Sequence, residues 1–140
     1  KIREFPGKVI FTRDTHGERY LETQEGKHLP VPHCIKGTKG WEICPQLEAL
    51  REAEAIDKVT FGSEKLGELL QEENRKEQIE DITLVGLCTD ICVISNALLL
   101  KAFLSETPII VDASCCAGVT PKSHETALDA MRMCQINIER

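Results

Sequence analysis

The chain has 140 residues, a length typical of one domain, and we expect residues 1–140 to form a single one. Its composition, 41% hydrophobic and 29% charged, is typical of a globular protein in water, and its formal net charge of −6 argues against nucleic acid as a partner. No apolar run approaches the roughly 20 residues needed to cross a bilayer, and the charged residues 1–8 do not resemble a signal peptide.

The seven cysteines are spaced irregularly and include no C-x-x-C pair. The odd count argues against a disulfide framework, and the spacing argues against a thiolate zinc site. Because free thiols persist in a reducing cytosol, we expect a cytoplasmic protein in which most cysteines pack as small apolar residues.

The first half of the chain contains few strong structural patterns. An apolar, β-rich segment at 8–13 predicts a buried strand. Residues 15–40 follow without periodicity, and a long stretch of this kind within a domain is usually functional. The Glu-, Leu- and Ala-rich segment 46–55 predicts a helix, and residues 56–61 predict a weaker strand.

Strands and helices alternate more clearly in the second half. Residues 64–78 predict a helix with Ser63 as its cap, and residues 81–87 predict a buried strand. An almost wholly apolar segment at 92–104 predicts a buried helix, and residues 107–113 predict another buried strand.

The last helix is marked by a Thr120 cap with Pro121 in the first helical position, and residues 134–138 predict a final strand. The apolar stripe of this helix consists of Ala127, Leu128, Met131 and Cys134. Because strands alternate with helices and the strands are continuously apolar, we predict an α/β fold with three layers, αβα, around a central parallel sheet of Rossmann-like topology.

A strand–turn–helix junction lies at 84–93, where the buried strand ends at Gly86 and a helix is predicted to begin at Cys92. A side chain there lies at the carboxyl edge of the sheet, where open α/β folds bind ligands. A helix N-terminus favours a thiolate, and its backbone N–H groups can hold an oxyanion. A cysteine that only packs at the start of an apolar helix explains the same residues, and the pattern alone leaves both interpretations open.

The strongest motif is the segment 86–93, G-L-C-T-D-I-C-V. It resembles the signature G-x-x-T-D-x-C-V of the isochorismatase-like cysteine hydrolases, a family that includes nicotinamidases. The resemblance spans nearly the whole chain and implies the family's α/β fold. It also implies that Cys92 is the nucleophile, that a cis peptide joins Leu87 to Cys88, and that the backbone N–H groups of Cys88 and Cys92 stabilise the oxyanion.

A cysteine nucleophile needs a base or a nearby cation. Residues 58–61 resemble the family's K-x-x-F motif, which implies that Lys58 belongs to an Asp-Lys-Cys triad, although most lysines are simply solvated. The family's aspartate lies in a D-x-Q-x-x-F motif on the first strand, which these residues do not contain. We therefore expect that this sequence lacks an N-terminal strand, since Asp14, Asp57 and Asp90 each belong to another motif.

Three potential metal ligands follow the first predicted strand. Asp14 and His16 are two residues apart, and His33 lies further along the segment 15–40. A carboxylate and two imidazoles suit Zn, Fe or Mn, but two histidines in a long loop are more often unrelated. The patterns D-x-H and P-x-H-C resemble nicotinamidases, which implies that these three residues bind a divalent metal, with Zn the first choice, that holds the pyridine nitrogen of nicotinamide.

The resemblance also implies a fourth ligand, a His or Glu between the two histidines. Glu22, Glu25 and His28 fall in that interval, and we favour Glu25. We interpret His28 as a solvated residue and His124 as a helix-terminus or packing residue.

Apolar walls are common in small-ligand pockets. Our candidates for a substrate-binding wall are Phe11, Trp41, Phe61 and Leu87. A lone tryptophan is equally often a core anchor. We interpret the adjacent Cys115 and Cys116 as buried small residues near the edge of the sheet.

The resemblance implies an enzyme, a cysteine-nucleophile amidohydrolase that converts nicotinamide to nicotinate and ammonia through a thioester. One alternative is another hydrolase of the same family that acts on a different small amide or a vinyl ether. A second is a catalytically inactive small-ligand-binding protein, and the scattered cysteines argue against a third, a metal-storage or redox protein. The resemblance further implies a small-molecule amide substrate and a homo-oligomer.

Overall fold

The computed structural model describes all residues, Lys1–Arg140, and every strand in it pairs in parallel with its neighbour. The chain forms two compact units, Lys1–Thr60 and Phe61–Arg140. None of its helices combines the length and the apolar character that crossing a membrane requires.

In the first unit, strand β1 (Thr12–Asp14) pairs with β2 (Ile56–Lys58), so that Asp14 lies opposite Lys58. Both strands are shorter than the predicted 8–13 and 56–61. Pairing begins one residue before β1, where the Ile56 N–H donates to the Phe11 carbonyl at 2.8 Å. It ends where the Thr15 N–H donates to the Lys58 carbonyl at 2.8 Å.

The segment between β1 and β2 contains short helices. Residues Tyr20–Glu22 and Lys39–Trp41 form single 3₁₀ turns, and α1 spans Gln24–His28. The segment 15–40, which shows no periodicity in the sequence, therefore contains short helical elements. Local capping explains α1, because the Thr23 Oγ1 accepts a hydrogen bond from the Gly26 N–H at 3.0 Å.

The predicted helix at 46–55 is also wrong in length, since α2 spans only Pro45–Glu48. No side chain between 45 and 55 is buried. Helix propensity alone does not hold a helix of this length in water, because most helical stability in proteins comes from packing an apolar face.

The second unit follows the predicted alternation. Its helices are α3 (Glu64–Lys76), α4 (Ile94–Phe103) and α5 (Pro121–Met133). Its strands are β3 (Ile82–Leu87), β4 (Ile109–Ala117) and β5 (Asn137–Glu139), which form a parallel sheet in the order β3-β4-β5.

Both predicted helix caps in this unit are present. The Ser63 Oγ accepts from the Leu66 N–H at 3.2 Å, and Thr120 and Ser123 form a reciprocal capping box. The core of the unit is formed by side chains with at most 1% exposure: Ala97, Leu100, Ile109, Val111, Leu128 and Met131. Cys134 was expected in the apolar stripe of α5 but is exposed, because the helix ends one residue before it.

An irregularity in β3–β4 pairing lies at the end of β3. Leu84 pairs with Val111, but Gly86 pairs with Cys116, so residues 112–115 bulge out of the ladder. Gly86 has a φ of 124°, a backbone conformation that residues other than glycine rarely adopt. The glycine therefore allows the chain to leave the strand directly before the turn that carries Cys92.

Candidate active site and metal centre

Four potential metal ligands converge in the first unit. Asp14 ends β1, His16 follows it, Glu25 lies on α1, and His33 comes from the loop after α1. One ligand atom from each of these residues lies within 4.8 Å of the others. The structure thus brings together the four residues that the sequence analysis named as candidate metal ligands, and Glu25 is one of them.

The donor atoms face one another at short distances. The His16 Nε2 lies 3.3 Å from the Asp14 Oδ2 and 3.4 Å from the Glu25 Oε1. The His33 Nε2 lies 3.8 Å and 3.5 Å from the same two oxygens. Two imidazole nitrogens and two carboxylate oxygens form a set that suits zinc or another transition metal such as Fe or Mn.

The contacts of the two imidazoles also fit a bound cation. The His16 Nε2 is buried and makes no hydrogen bond, which is costly for a polar atom unless another partner satisfies it. The His33 Nδ1 lies 2.8 Å from the Val31 carbonyl oxygen, so it must carry the proton. That tautomer leaves the His33 Nε2 with a lone pair for a metal.

Backbone pairing holds the two histidine segments side by side. The His16 N–H donates to the Cys34 carbonyl, and the Lys36 N–H donates to the His16 carbonyl, both at 2.9 Å.

The competing ligand candidates lie elsewhere, because Glu22 is exposed and paired with Arg19, and the exposed His28 contacts the Gln24 carbonyl.

Tyr20 lies against the cluster and was not singled out from the sequence. It is 1% exposed, and its ring centroid lies 4.7 Å from that of His16 and 5.0 Å from that of His33. Burial raises the pKa of Tyr20, and the carboxylates of Glu25 and Asp14 raise it further. The signal available in the sequence was that the chain's one tyrosine falls between the predicted ligands.

Lys58 contacts the candidate metal centre through Asp14. Its side chain is 5% exposed, and its Nζ donates to the Asp14 Oδ1 at 3.0 Å and to the Thr60 carbonyl at 3.3 Å. The strand register accounts for this contact, because Asp14 and Lys58 are directly opposed. The buried, paired state of Lys58 differs from the solvated state of an ordinary surface lysine.

The turn after β3 contains the cis peptide bond between Leu87 and Cys88 that the family resemblance implies. A π-helical turn, Thr89–Val93, then leads into α4. The Cys88 carbonyl accepts from the N–H of Ile91 at 3.1 Å and from that of Val93 at 3.0 Å. The helical segment therefore begins at Thr89 and not at Cys92, which places Cys92 within its first turn, half-buried.

Asp90 ties this turn to the loop before α5. Both of its carboxylate oxygens accept from the Val119 N–H at 3.1 Å. Partial burial works to raise the pKa of Asp90, but hydrogen bonds donated by Ser123 and by the Val119 N–H outweigh it, so the pKa lies below its ordinary value. The neighbouring Thr89 is fully buried, and its Oγ1 lies 2.8 Å from the His124 Nδ1.

Asn96 supports the same turn from α4, and the sequence analysis missed it. It is 5% exposed, and its Nδ2 donates to the carbonyl of Cys92 at 2.7 Å and to that of Phe61 at 3.0 Å. Its Oδ1 accepts from the Ser63 N–H at 3.0 Å. A lone amide in a run of apolar helical residues was the available signal, since such a group is buried only when it is satisfied.

The other cysteines of the second unit were expected to be buried, but Cys88 and Cys116 are only partly buried and Cys115 and Cys134 are exposed. Burial raises the pKa of Cys88, and Asp90 and Cys92 raise it further. Burial also raises the pKa of Cys116. Cys115, expected to be buried, is exposed, because β4 extends through both cysteines and residues 112–115 bulge out of its ladder.

The candidate wall residues occupy varied positions. Phe61 and Leu87 are 41% and 69% exposed, and Phe11 is half-buried. Trp41 is covered by the Arg13 guanidinium, 3.5 Å from its ring centroid, and its Nε1 donates to the Thr15 Oγ1 at 2.9 Å. A substrate-binding role for these four residues stays a prediction.

Comparison with known proteins identifies the class. The isochorismatase domain matches residues 1–139, and the chain belongs to the isochorismatase family of hydrolases. The nicotinamidase/pyrazinamidase of Mycobacterium tuberculosis (strain ATCC 25618 / H37Rv) is 26% identical over 145 residues, covering 93% of this chain and 75% of that protein.

Two solved structures share the fold. Nicotinamidase/pyrazinamidase PncA from Bacillus subtilis has a TM-score of 0.75 at 27% identity, over 96% of this chain and 76% of that one. Pyrazinamidase of Pyrococcus horikoshii, solved in complex with zinc, has a TM-score of 0.74 at 22% identity, over 99% of this chain and 80% of that one. These matches confirm the predicted α/β fold with parallel strands.

Proposed function

We propose that this protein is a nicotinamidase, a metal-containing amidohydrolase that converts nicotinamide to nicotinate and ammonia. The observation that carries the proposal is the convergence of Asp14, His16, Glu25 and His33 in a chain of the isochorismatase family. Relatives in Mycobacterium tuberculosis and Bacillus subtilis that bear the name nicotinamidase/pyrazinamidase support this substrate class.

In the proposed mechanism, the Cys92 thiolate attacks the carboxamide carbon of nicotinamide. The oxyanion that forms accepts hydrogen bonds from the backbone N–H groups of Cys88 and Cys92. The carbon–nitrogen bond then breaks, ammonia leaves with a transferred proton, and a thioester to Cys92 remains. Water hydrolyses this thioester, which releases nicotinate and regenerates the thiol.

Proton transfer requires a further group. A general base must take the Cys92 proton and later deliver it to the leaving ammonia. The family resemblance assigns this task to the aspartate of the D-x-Q-x-x-F motif and assigns electrostatic support to Lys58. We propose that Lys58 has this role in addition to its contact with Asp14.

The four clustered ligands would hold the metal. A divalent cation held there, for which zinc is our first choice, would supply a Lewis acid for the pyridine nitrogen of nicotinamide. The buried His16 Nε2, which makes no hydrogen bond, supports this assignment, and the zinc in the Pyrococcus horikoshii pyrazinamidase is consistent with it. Because the family match includes both compact units, we further propose that they form one functional domain, which assembles as a homo-oligomer.

The test is ammonia release from nicotinamide by the full-length protein, loaded with zinc or treated with a chelator. The proposal predicts release that needs both the metal and Cys92, so that C92A is inactive. C134A, which removes an exposed thiol, is the matched control and should retain the rate. Absence of release from the folded, zinc-loaded protein would contradict the nicotinamidase assignment; faster alkylation of Cys92 than of the other thiols would then direct the search to other small amides.

A further inference from the structure

The four candidate metal ligands lie on separate secondary-structure segments of the first unit. Asp14 ends β1, His16 follows that strand, Glu25 lies on the five-residue helix α1, and His33 lies in the loop after α1. A short helix and a loop are weakly held by their own hydrogen bonds. A metal site of defined geometry therefore needs a further group that fixes α1 and both imidazoles relative to one another.

The Tyr20 ring contacts both imidazoles. Its plane is tilted by 56° from that of His16 and by 77° from that of His33, and the two imidazole centroids are themselves 4.9 Å apart. Tilted and edge-on contacts at these separations are the favoured arrangements of aromatic groups. The three rings thus form a packed cluster in which the rotation of either histidine would meet the buried tyrosine ring.

Tyr20 also contacts both ends of the helix that carries Glu25. Its hydroxyl donates to the Leu29 carbonyl at 2.9 Å, directly after α1. Its carbonyl oxygen accepts from the backbone N–H of Thr23 at 2.9 Å and from the Thr23 hydroxyl at 2.6 Å, at the cap of α1.

Gly26 permits this close approach. A Cβ at position 26 would lie 2.1 Å from the Tyr20 carbonyl oxygen, a distance that no side chain tolerates. The helix with Glu25 therefore packs directly on the Tyr20 backbone, while the Tyr20 ring packs on the histidines.

We propose that Tyr20 is a positioning residue of the metal centre, which preorganises His16, His33 and Glu25 before the metal binds. Its hydroxyl is engaged by the Leu29 carbonyl, so it acts through the ligands and not as one of them. This inference rests on the metal site of the proposed function, but not on its substrate. A protein that binds zinc and does not hydrolyse nicotinamide would leave the role of Tyr20 intact.

The test compares the zinc affinities of two variants, measured by competition with a chromogenic chelator. Y20L removes the ring and should weaken zinc binding by about 10- to 100-fold, the range typical of residues that orient metal ligands. Y20F keeps the ring and loses only the bond to Leu29, so it should weaken zinc binding by a few-fold. L100A is the control, because Leu100 is equally buried at 1% exposure but lies in α4; it should lower the unfolding temperature and leave zinc affinity unchanged.

Cobalt substitution provides a second readout that a general loss of stability does not change. The visible absorption of Co²⁺ depends on coordination geometry, so Y20L should alter the spectrum of the cobalt-loaded protein while L100A should preserve it. If Y20L does not fold, Y20F decides the question through its affinity and its rate of zinc release. Wild-type affinity in Y20F and an unaltered affinity and cobalt spectrum in Y20L would overturn the inference.

Discussion

Replacement of Asn96 by alanine should destabilise the second unit strongly. The substitution removes three hydrogen bonds, those to the Cys92 and Phe61 carbonyls and to the Ser63 N–H. Each such bond contributes about 0.5–1.5 kcal/mol net, and the abandoned groups are buried or partly buried. We therefore expect N96A to lower the free energy of unfolding by about 2–4 kcal/mol.

The assay is urea unfolding followed by far-UV circular dichroism, with the change in midpoint and slope both recorded. N137A is the matched control, because Asn137 is an exposed asparagine on β5 and its replacement should change stability by less than about 0.5 kcal/mol. A free energy of unfolding for N96A within about 0.5 kcal/mol of the wild type would refute the argument that this amide joins the residues around Ser63 to the turn that carries Cys92.

Three further predictions concern the core, the metal and the response to acid. L128A should lower the free energy of unfolding by about 2–5 kcal/mol, since Leu128 is fully buried, while M133A at an 86% exposed position should have almost no effect in the same urea assay. Zinc at about 100 times its dissociation constant should stabilise the fold by about 2.7 kcal/mol; in thermal unfolding, H16A should abolish this gain and H28A should retain it. Because the pKa of Asp90 is lower in the folded than in the unfolded chain, its contribution to stability is complete above an unfolded pKa of about 3.9 and is lost as the pH falls through the folded value. Urea unfolding between about pH 5 and pH 3 should therefore show a smaller loss of stability for D90N than for the wild type; an equal loss would contradict this role for Asp90.

Features that depend on neighbouring residues were predictable from the sequence. The caps at Ser63 and Thr120 use side chains that bond to backbone N–H groups three residues away, so the signal and the structure occupy the same short segment. Continuous apolar runs predicted the strands at 81–87 and 107–113, and the structure has β3 at Ile82–Leu87 and β4 at Ile109–Ala117. The extension of β4 to Ala117 lies beyond the apolar run, where Ser114 and Cys115 are exposed, and was not predicted. The helix predicted at 46–55 is mostly absent for the opposite reason. Its composition favours a helix, but no residue of α2 is buried against the rest of the protein.

The residues of the candidate site that belong to sequence motifs were predictable. The residues that position them through contacts distant in sequence were not. The four candidate metal ligands were predictable from the resemblance and from local patterns. Asn96, by contrast, forms hydrogen bonds to residues up to 35 positions away, and the periodicity of a sequence does not indicate such contacts. The π-helical turn around Cys92 was not predicted. Apolar periodicity does not distinguish the backbone hydrogen bonds of a π-helix, which span five residues, from those of an α-helix, which span four.

In the proposed mechanism, Cys92 forms a covalent acyl intermediate with an amide substrate. The most direct test mixes the zinc-loaded protein with nicotinamide, quenches with acid during the first turnover, and maps the acylated peptide by mass spectrometry. We expect one nicotinoyl group on the peptide that contains Cys92, formed together with one equivalent of ammonia. Release of ammonia with no acyl group on the protein, or with the acyl group on another residue, would contradict it.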